Sequence, residues 1–256
     1  MKPTYMLSVV FAVLATILTE RAWAGPDYGN IVLIGDSITQ ASGTQLSYRY
    51  RLWKRLIDDD ATFNFVGSLN VNLSGNPVWP AYAGRSFDRD HEGHSGWRTD
   101  QILGQLSGWL AGYTPNIALI HLGTNDVVQS QSASSTIGEL GQIIDRLRAD
   151  NPRVKILLAR ILPTSGGAAV NARINELNAL ITGLVSSKNT ALSPIRLVDQ
   201  NSGFNPASDT YDGVHPNATG EEKMAQKWQL GLRALAGLLD TQPPAPPTGV
   251  AVRPAS

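Results

Sequence analysis

No cysteine occurs in the 256 residues, which excludes a disulfide framework, a thiolate nucleophile and a cysteine zinc site together. Stability must come from core packing. Net charge is lacking too: 21 basic side chains balance 21 acidic ones, so the overall charge names neither nucleic acid nor an anionic lipid surface as partner. Neither GxGxxG nor GxxxxGK(S/T) follows any strand-like run, which leaves no glycine-rich cradle for phosphate. A membrane-spanning stretch is missing as well, because the apolar run from Met6 to Leu18 falls short of the ~20 residues that a spanning helix needs. With Lys2 before it and Ala22-Trp23-Ala24 behind it, that run reads as a secretory signal peptide over residues 1–24, cut after Ala24. The mature protein is expected to be exported, to the periplasm or beyond, with no membrane span.

What is present is an alternation of two periods. Ile31–Ile34, Thr62–Val66, Asn116–Ile120, Val154–Ala159 and Ile195–Val198 read as strands, the apolar runs among them as buried parallel ones. Between them lie helical spacings: Tyr50, Trp53, Leu56 and Ile57; Ile102, Leu103, Leu106 and Trp109; Ile137, Leu140, Ile144 and Leu147; Ile174, Leu177, Ile181 and Leu184. A last helix, capped by Asn217, carries Met224, Trp228, Leu232, Leu235 and Leu239. Such alternation predicts a three-layer α/β/α domain over 25–240, with five parallel strands in the flavodoxin-like order 2-1-3-4-5. Residues 241–256 are too rich in proline for helix or central strand and read as a linker, with a distant likeness to the start of a fibronectin type III module. The thirty residues from Ser68 to Trp97 show no period, and loops of that length tend to be functional.

Chemistry-bearing residues gather at the expected carboxyl edge of the sheet. The first strand runs into Gly35-Asp36-Ser37, the third into His121-Leu-Gly-Thr-Asn125-Asp126, and the last loop holds Asp212-Gly-Val-His215. A serine needs a base to become a nucleophile, and with four histidines and no cysteine that base is expected to be one of the four. His215 ranks first. A tight turn at Gly213 can fold Asp212 onto its Nδ1, leaving Nε2 to accept a proton from Ser37. An oxyanion would be met by the Ser37 N–H, the N–H of Gly96 and the carboxamide of Asn125. Each position has a plainer alternative: a capping serine, an Asp-Gly turn, a loop hinge, a turn asparagine.

Taken together, Gly35-Asp36-Ser37, Gly96 in His94-Ser-Gly-Trp97, Gly123-Thr-Asn125-Asp126 and Asp212 three residues before His215 resemble the four blocks of the GDSL or SGNH hydrolases. The resemblance spans Ile31 to Ala225. Asn64-Phe-Val-Gly-Ser68 and Asp90-His-Glu-Gly-His-Ser-Gly-Trp97 are similar to the acetylxylan-esterase branch, carbohydrate esterase family three. It implies a serine esterase with Ser37, Asp212 and His215 as catalytic residues, Ser37, Gly96 and Asn125 at the oxyanion, and no metal or organic cofactor. Its expected substrate is an acetylated polysaccharide, xylan first. A broad short-chain arylesterase or lysophospholipase of the same superfamily and a non-catalytic carbohydrate-binding module are the alternatives. The segment Leu69–Asp88 is longer than that branch leads one to expect.

Other readings of the same residues are weaker. Ser95 approaches a GxSxG elbow but has Trp97 where the second glycine belongs. His91 and His94, with Asp88, Asp90 and Glu92, could be drawn as a metal cluster, although an irregular acidic loop more often packs against a rim. His121 is expected to pack below the site. Trp79, Tyr82, Phe87 and Trp97 divide evenly between a sugar platform and the long loop's own core.

Overall fold

The computed structural model describes residues 25–237; the segment 1–24 read as a signal peptide, the proline-rich tail and Leu239 lie outside the described residues. The chain runs β1 (Asp27–Gly35), α1 (Ser37–Gln40), α2 (Ser47–Asp58), β2 (Thr62–Val66), β3 (Glu92–Gly93), α3 (Thr99–Leu110) and β4 (Ile117–His121). It continues through α4 (Thr124–Val128), α5 (Ala133–Asp150), β5 (Lys155–Arg160), α6 (Ala168–Lys188), β6 (Ile195–Asp199), α7 (Pro206–Asp209) and α8 (Ala218–Leu235). All the strands pair in parallel, in the order β2-β1-β4-β5-β6, which is the expected flavodoxin-like arrangement.

Alternation along β1 decides the layers. Ile31 and Leu33 point to the face covered by α2 and α8, where they meet Leu52, Leu56, Trp228 and Leu232. Val32 and Ile34 point to the opposite face, against Ile102 and Leu106 of α3 and Leu140 and Ile144 of α5. A sheet buried on both sides needs unbroken apolar strands, and that is how β1, β4 and β5 read.

The expectation of five strands is corrected to six. β3, only two residues long, emerges from the long loop and pairs with β1 at Ile34↔Glu92 and Gly35↔Gly93. β2 stops at Val66, opposite Val32, so β3 continues the same edge one step further toward the carboxyl end. Two residues carry no period. What seats them is tertiary: buried Glu92 accepts from the Ser68 hydroxyl at 2.8 Å, the Tyr113 hydroxyl at 2.8 Å and His94 Nε2 at 2.9 Å.

The long loop's aromatics serve its own core. Phe87 is buried against Tyr50, Trp53 and Trp79, with ring centroids 5.3, 5.6 and 5.3 Å away, and Trp79 Nε1 donates to the Leu46 carbonyl at 2.9 Å. Tyr82 is half-buried and bonds Asp58 through its hydroxyl. Beneath them Arg49 of α2 is a buried cation tying the loop down. Its Nε donates to Thr39 O at 2.8 Å, Nη1 to Arg89 O at 2.8 Å, and Nη2 to Gln40 O at 3.2 Å and Asn72 Oδ1 at 2.8 Å. Burial pulls its pKa down to about 10, which leaves it charged at neutral pH.

Arg49→Met keeps the reach and removes the donors. Each stranded acceptor costs on the order of 1–3 kcal/mol, so the variant should lose several kcal/mol in guanidinium denaturation. Limited proteolysis should then cut first within residues 68–97, and protease resistance equal to the wild type would contradict this account of the loop.

Candidate active site

Ser37 sits on a corner that only glycine before it permits. A Cβ at Gly35 would lie 2.0 Å from Thr39 Oγ1 and 3.0 Å from the His121 carbonyl. Asp36 caps the short helix α1, with Oδ1 accepting the Ile38 N–H at 2.9 Å, so the plainer reading of Ser37 as the cap does not hold. Ser37 is instead the first helical residue. Its N–H lies among those that a helix leaves without an internal acceptor, and among the described residues it has none.

The base approaches from the other end of the chain. His215 lies between α7 and α8, with Nε2 2.8 Å from Ser37 Oγ and Nδ1 2.7 Å from Asp212 Oδ2. The Asp212 Oδ1 also accepts the backbone N–H of Val214 at 3.0 Å and of His215 at 2.7 Å, so one carboxylate holds both the turn and the ring. Burial alone would raise the Asp212 pKa, but the hydrogen bonds from His215 and Val214 outweigh it and hold the carboxyl below its ordinary value. An ionised Asp212 accepts a hydrogen bond from Nδ1–H and keeps the proton on that nitrogen. The Nε2 lone pair is then left to face the serine hydroxyl. Gly213, at φ +89, makes the turn, where a Cβ would meet Ser165 Cβ at 2.8 Å.

Gly96 and Asn125 are drawn to the same corner by a set of bridges. The His94 N–H donates to Gly35 O at 2.9 Å, and the Ser95 N–H to Gln40 Oε1 at 2.9 Å. Gly96 has φ +79, the value required at the third position of a type II turn, here closed by Trp97 N–H to His94 O at 3.2 Å. The Gly96 N–H has no acceptor among the described residues. Asn125 Nδ2 spends one hydrogen on Trp97 O at 2.9 Å and keeps the second. The corner thus gathers a hydroxyl bonded to an imidazole together with amide hydrogens that lack partners.

The remaining histidines are committed elsewhere. His91 is buried, with Nδ1 accepting the Gly93 N–H at 2.9 Å and Nε2 3.1 Å from Val71 O; burial drives its pKa well below the usual value. His94 turns Nε2 to Glu92 and its ring packs against both Trp97 and Trp109, at centroid distances of 4.7 and 4.4 Å. Ser95 therefore meets no free imidazole from its neighbour. His121, fully buried opposite Gly35, packs beneath the corner and is pushed down to about 4 by burial. Two contributors escaped the sequence reading: Gln40, whose side chain holds Ser95, and Tyr211, whose ring lies 5.8 Å from His215 at 16°. Tyr211 neighbours Asp212, but no motif marks it. A narrow cleft, open to solvent, runs from Ser37 and His215 between Gln45, Tyr48 and Tyr211.

A parallel α/β/α sheet with a serine, a histidine and unpartnered amides at its carboxyl edge defines the class of the serine hydrolases. The chain belongs to the GDSL-like lipase/acylhydrolase family, whose profile matches residues 33–223. A family 3 carbohydrate esterase from Talaromyces cellulolyticus is 35% identical and superposes with a TM-score of 0.71, covering 82% of this chain and 99% of that one. An acetyl esterase mutant solved with an acetate ion is also 35% identical, with a TM-score of 0.69 over 81% of this chain and 98% of its own. The multidomain esterase of Ruminococcus flavefaciens is 32% identical over 86% of this chain, and the match spans only 31% of that relative's length.

Asp36 gives a pH test of the corner. Burial pushes its carboxyl up to about 6, against the Ile38 N–H and the charge of His215, which pull the other way. The folded state therefore holds the proton more tightly than the unfolded chain, and stability falls as pH rises from about 4 to about 6, by roughly 3 kcal/mol from this group. Asp36→Asn, which can still cap α1, should flatten the melting temperature across that window. An unchanged slope would show that Asp36 is not the group responsible.

Proposed function

We propose that the chain is an exported serine esterase that removes short acyl groups, acetyl first, from carbohydrate. The observation that carries the chemistry is the continuous line Ser37 Oγ to His215 Nε2 at 2.8 Å and His215 Nδ1 to Asp212 at 2.7 Å. His215 takes the Ser37 proton as Oγ attacks the ester carbon, and the carbonyl oxygen becomes an oxyanion facing the N–H groups of Ser37 and Gly96 and the Asn125 amide. Each such donor is worth about 3–4 kcal/mol of barrier. His215 then returns the proton to the departing alcohol, leaving an acyl-serine. Water, deprotonated by the same imidazole, releases the acid and restores the hydroxyl.

The acetyl and carbohydrate parts of the proposal draw support from the esterases reported above, which share 35% of their residues with this chain over most of its length. Export draws on the signal-like residues 1–24.

Ser37→Ala should lower kcat by at least about a thousandfold with folding intact, and a smaller loss would remove the nucleophile from this scheme. Asp212→Ala should cost less than His215→Ala, because the carboxylate orients a base that still acts without it; equal losses would contradict that division. Turnover should decline from acetyl to butyryl to octanoyl p-nitrophenyl esters, with acetylated xylan deacetylated faster than lysophospholipid is cleaved. Preference for the lipid would defeat the carbohydrate reading.

A further inference from the structure

The oxyanion proposed above has to be met at once by donors from separate stretches of chain. The Ser37 N–H rides on α1, whereas the Gly96 N–H rides on a turn of the long loop. A hydrogen bond to developing charge depends on distance and angle, so the gap between those two segments sets how well the oxyanion is held. The pairing of β3 with β1 and the His94 N–H on Gly35 O fix the loop to the strand before the serine. Neither reaches the serine's own turn.

Gln40 does. It is the last residue of α1, and its Oε1 accepts the Ser95 N–H at 2.9 Å, one residue before Gly96. Among the described residues no other side chain of α1 bonds that turn: Ser37 is engaged by His215 and Thr39 by Tyr48. Gln40 is itself braced. It is buried, its N–H donates to Asp36 O at 2.9 Å, and its carbonyl accepts Arg49 Nη2 at 3.2 Å. Gly93 of β3 lies so close that a Cβ there would stand 2.4 Å from the Gln40 nitrogen. A side chain on such a footing has little freedom to swing. The Ser95 N–H is spent on Gln40 and is not offered to substrate, but Ser95 and Gly96 are successive in the turn, so displacing one displaces the other.

Resting on the esterase reading above, we propose that Gln40 is a positioning residue for the oxyanion: it spans from the nucleophile's turn to the Gly96 turn and holds their N–H groups in register. Its effect falls on the transition state, where the carbonyl oxygen carries charge, more than on the bound ester.

Gln40→Met fills nearly the same volume and offers Ser95 no oxygen. On p-nitrophenyl acetate it should lose roughly tenfold or more in kcat with KM within about twofold, counted per site titrated by an organophosphate. The discriminating readout is the rate ratio of p-nitrophenyl acetate to its thionoacetate, whose developing charge sits on a sulfur that accepts N–H bonds poorly. That ratio should fall in Gln40→Met and return in Gln40→Glu, which keeps an oxygen for Ser95, while the rise of activity with pH keeps its midpoint. Ser95→Pro deletes the same bond from its other end, at the second position of a type II turn, where proline is favoured. It should lower the ratio too, and the double variant should be no worse than either single one. Should Gln40→Met fail to fold, Ser95→Pro decides by the same ratio. An unchanged ratio overturns the proposal, as do equal losses on both esters, which make Gln40 a structural prop, and additive losses in the double variant. Each of those results leaves Ser37 chemistry standing; full activity in Ser37→Ala would remove the esterase reading beneath it.

Discussion

The pairing of β3 with the last two residues of β1 is the constraint on which the rest of the site depends. Because Gly93 lies against Gly35, the next residue can donate its N–H to Gly35 O, and three residues after Gly93 the chain is already turning at Gly96. The turn is then held from three directions: by the Gln40 side chain on Ser95, by Asn125 on Trp97 and by Gln129 on the Gly96 carbonyl at 3.2 Å. Were the loop to miss that edge, the serine and histidine would still meet, but the amide hydrogens opposite them would be lost.

Beneath the corner the titratable groups are buried, and few of them carry charge. Asp36 and Asp126 are buried with raised carboxyl pKa values, His121 is buried and kept neutral at ordinary pH, and the exposed carboxylate, Asp212, is the one kept ionised by hydrogen bonds. In such surroundings hydrogen bonds to developing charge are stronger than in water, and unpartnered amides are costly to leave idle. The same low dielectric explains why Arg49 needs four oxygen acceptors around it.

Much of this was legible in the residues. Five strands and the five long helices announce themselves as short apolar or alternating runs and as helical apolar spacings, and the corners at Ser37, Asn125 and His215 stand out as polar endings to those patterns. What escaped has no period to show. β3 is two residues long and depends on Glu92 finding Ser68, Tyr113 and His94 across the fold; α1, α4 and α7 are single turns set by caps such as Asp36 and Asn205. The long loop could be seen to matter, but not that Phe87 would be swallowed by α2, and Tyr211 acquires meaning only when its ring is found beside His215.

The serine and histidine are 178 residues apart in the chain, yet their separation is governed by the contact of two helices. α2 follows the serine corner, α8 follows the histidine loop, and Glu221 at the start of α8 grips the start of α2 through Ser47 while Arg55 reaches Glu222 and Gln229 further along. The two helices work as the arms of a caliper, and the gap at their tips is the proton's path. A slip of one arm along the other, far smaller than unfolding, would open that gap, so warming should silence the enzyme before its sheet begins to melt.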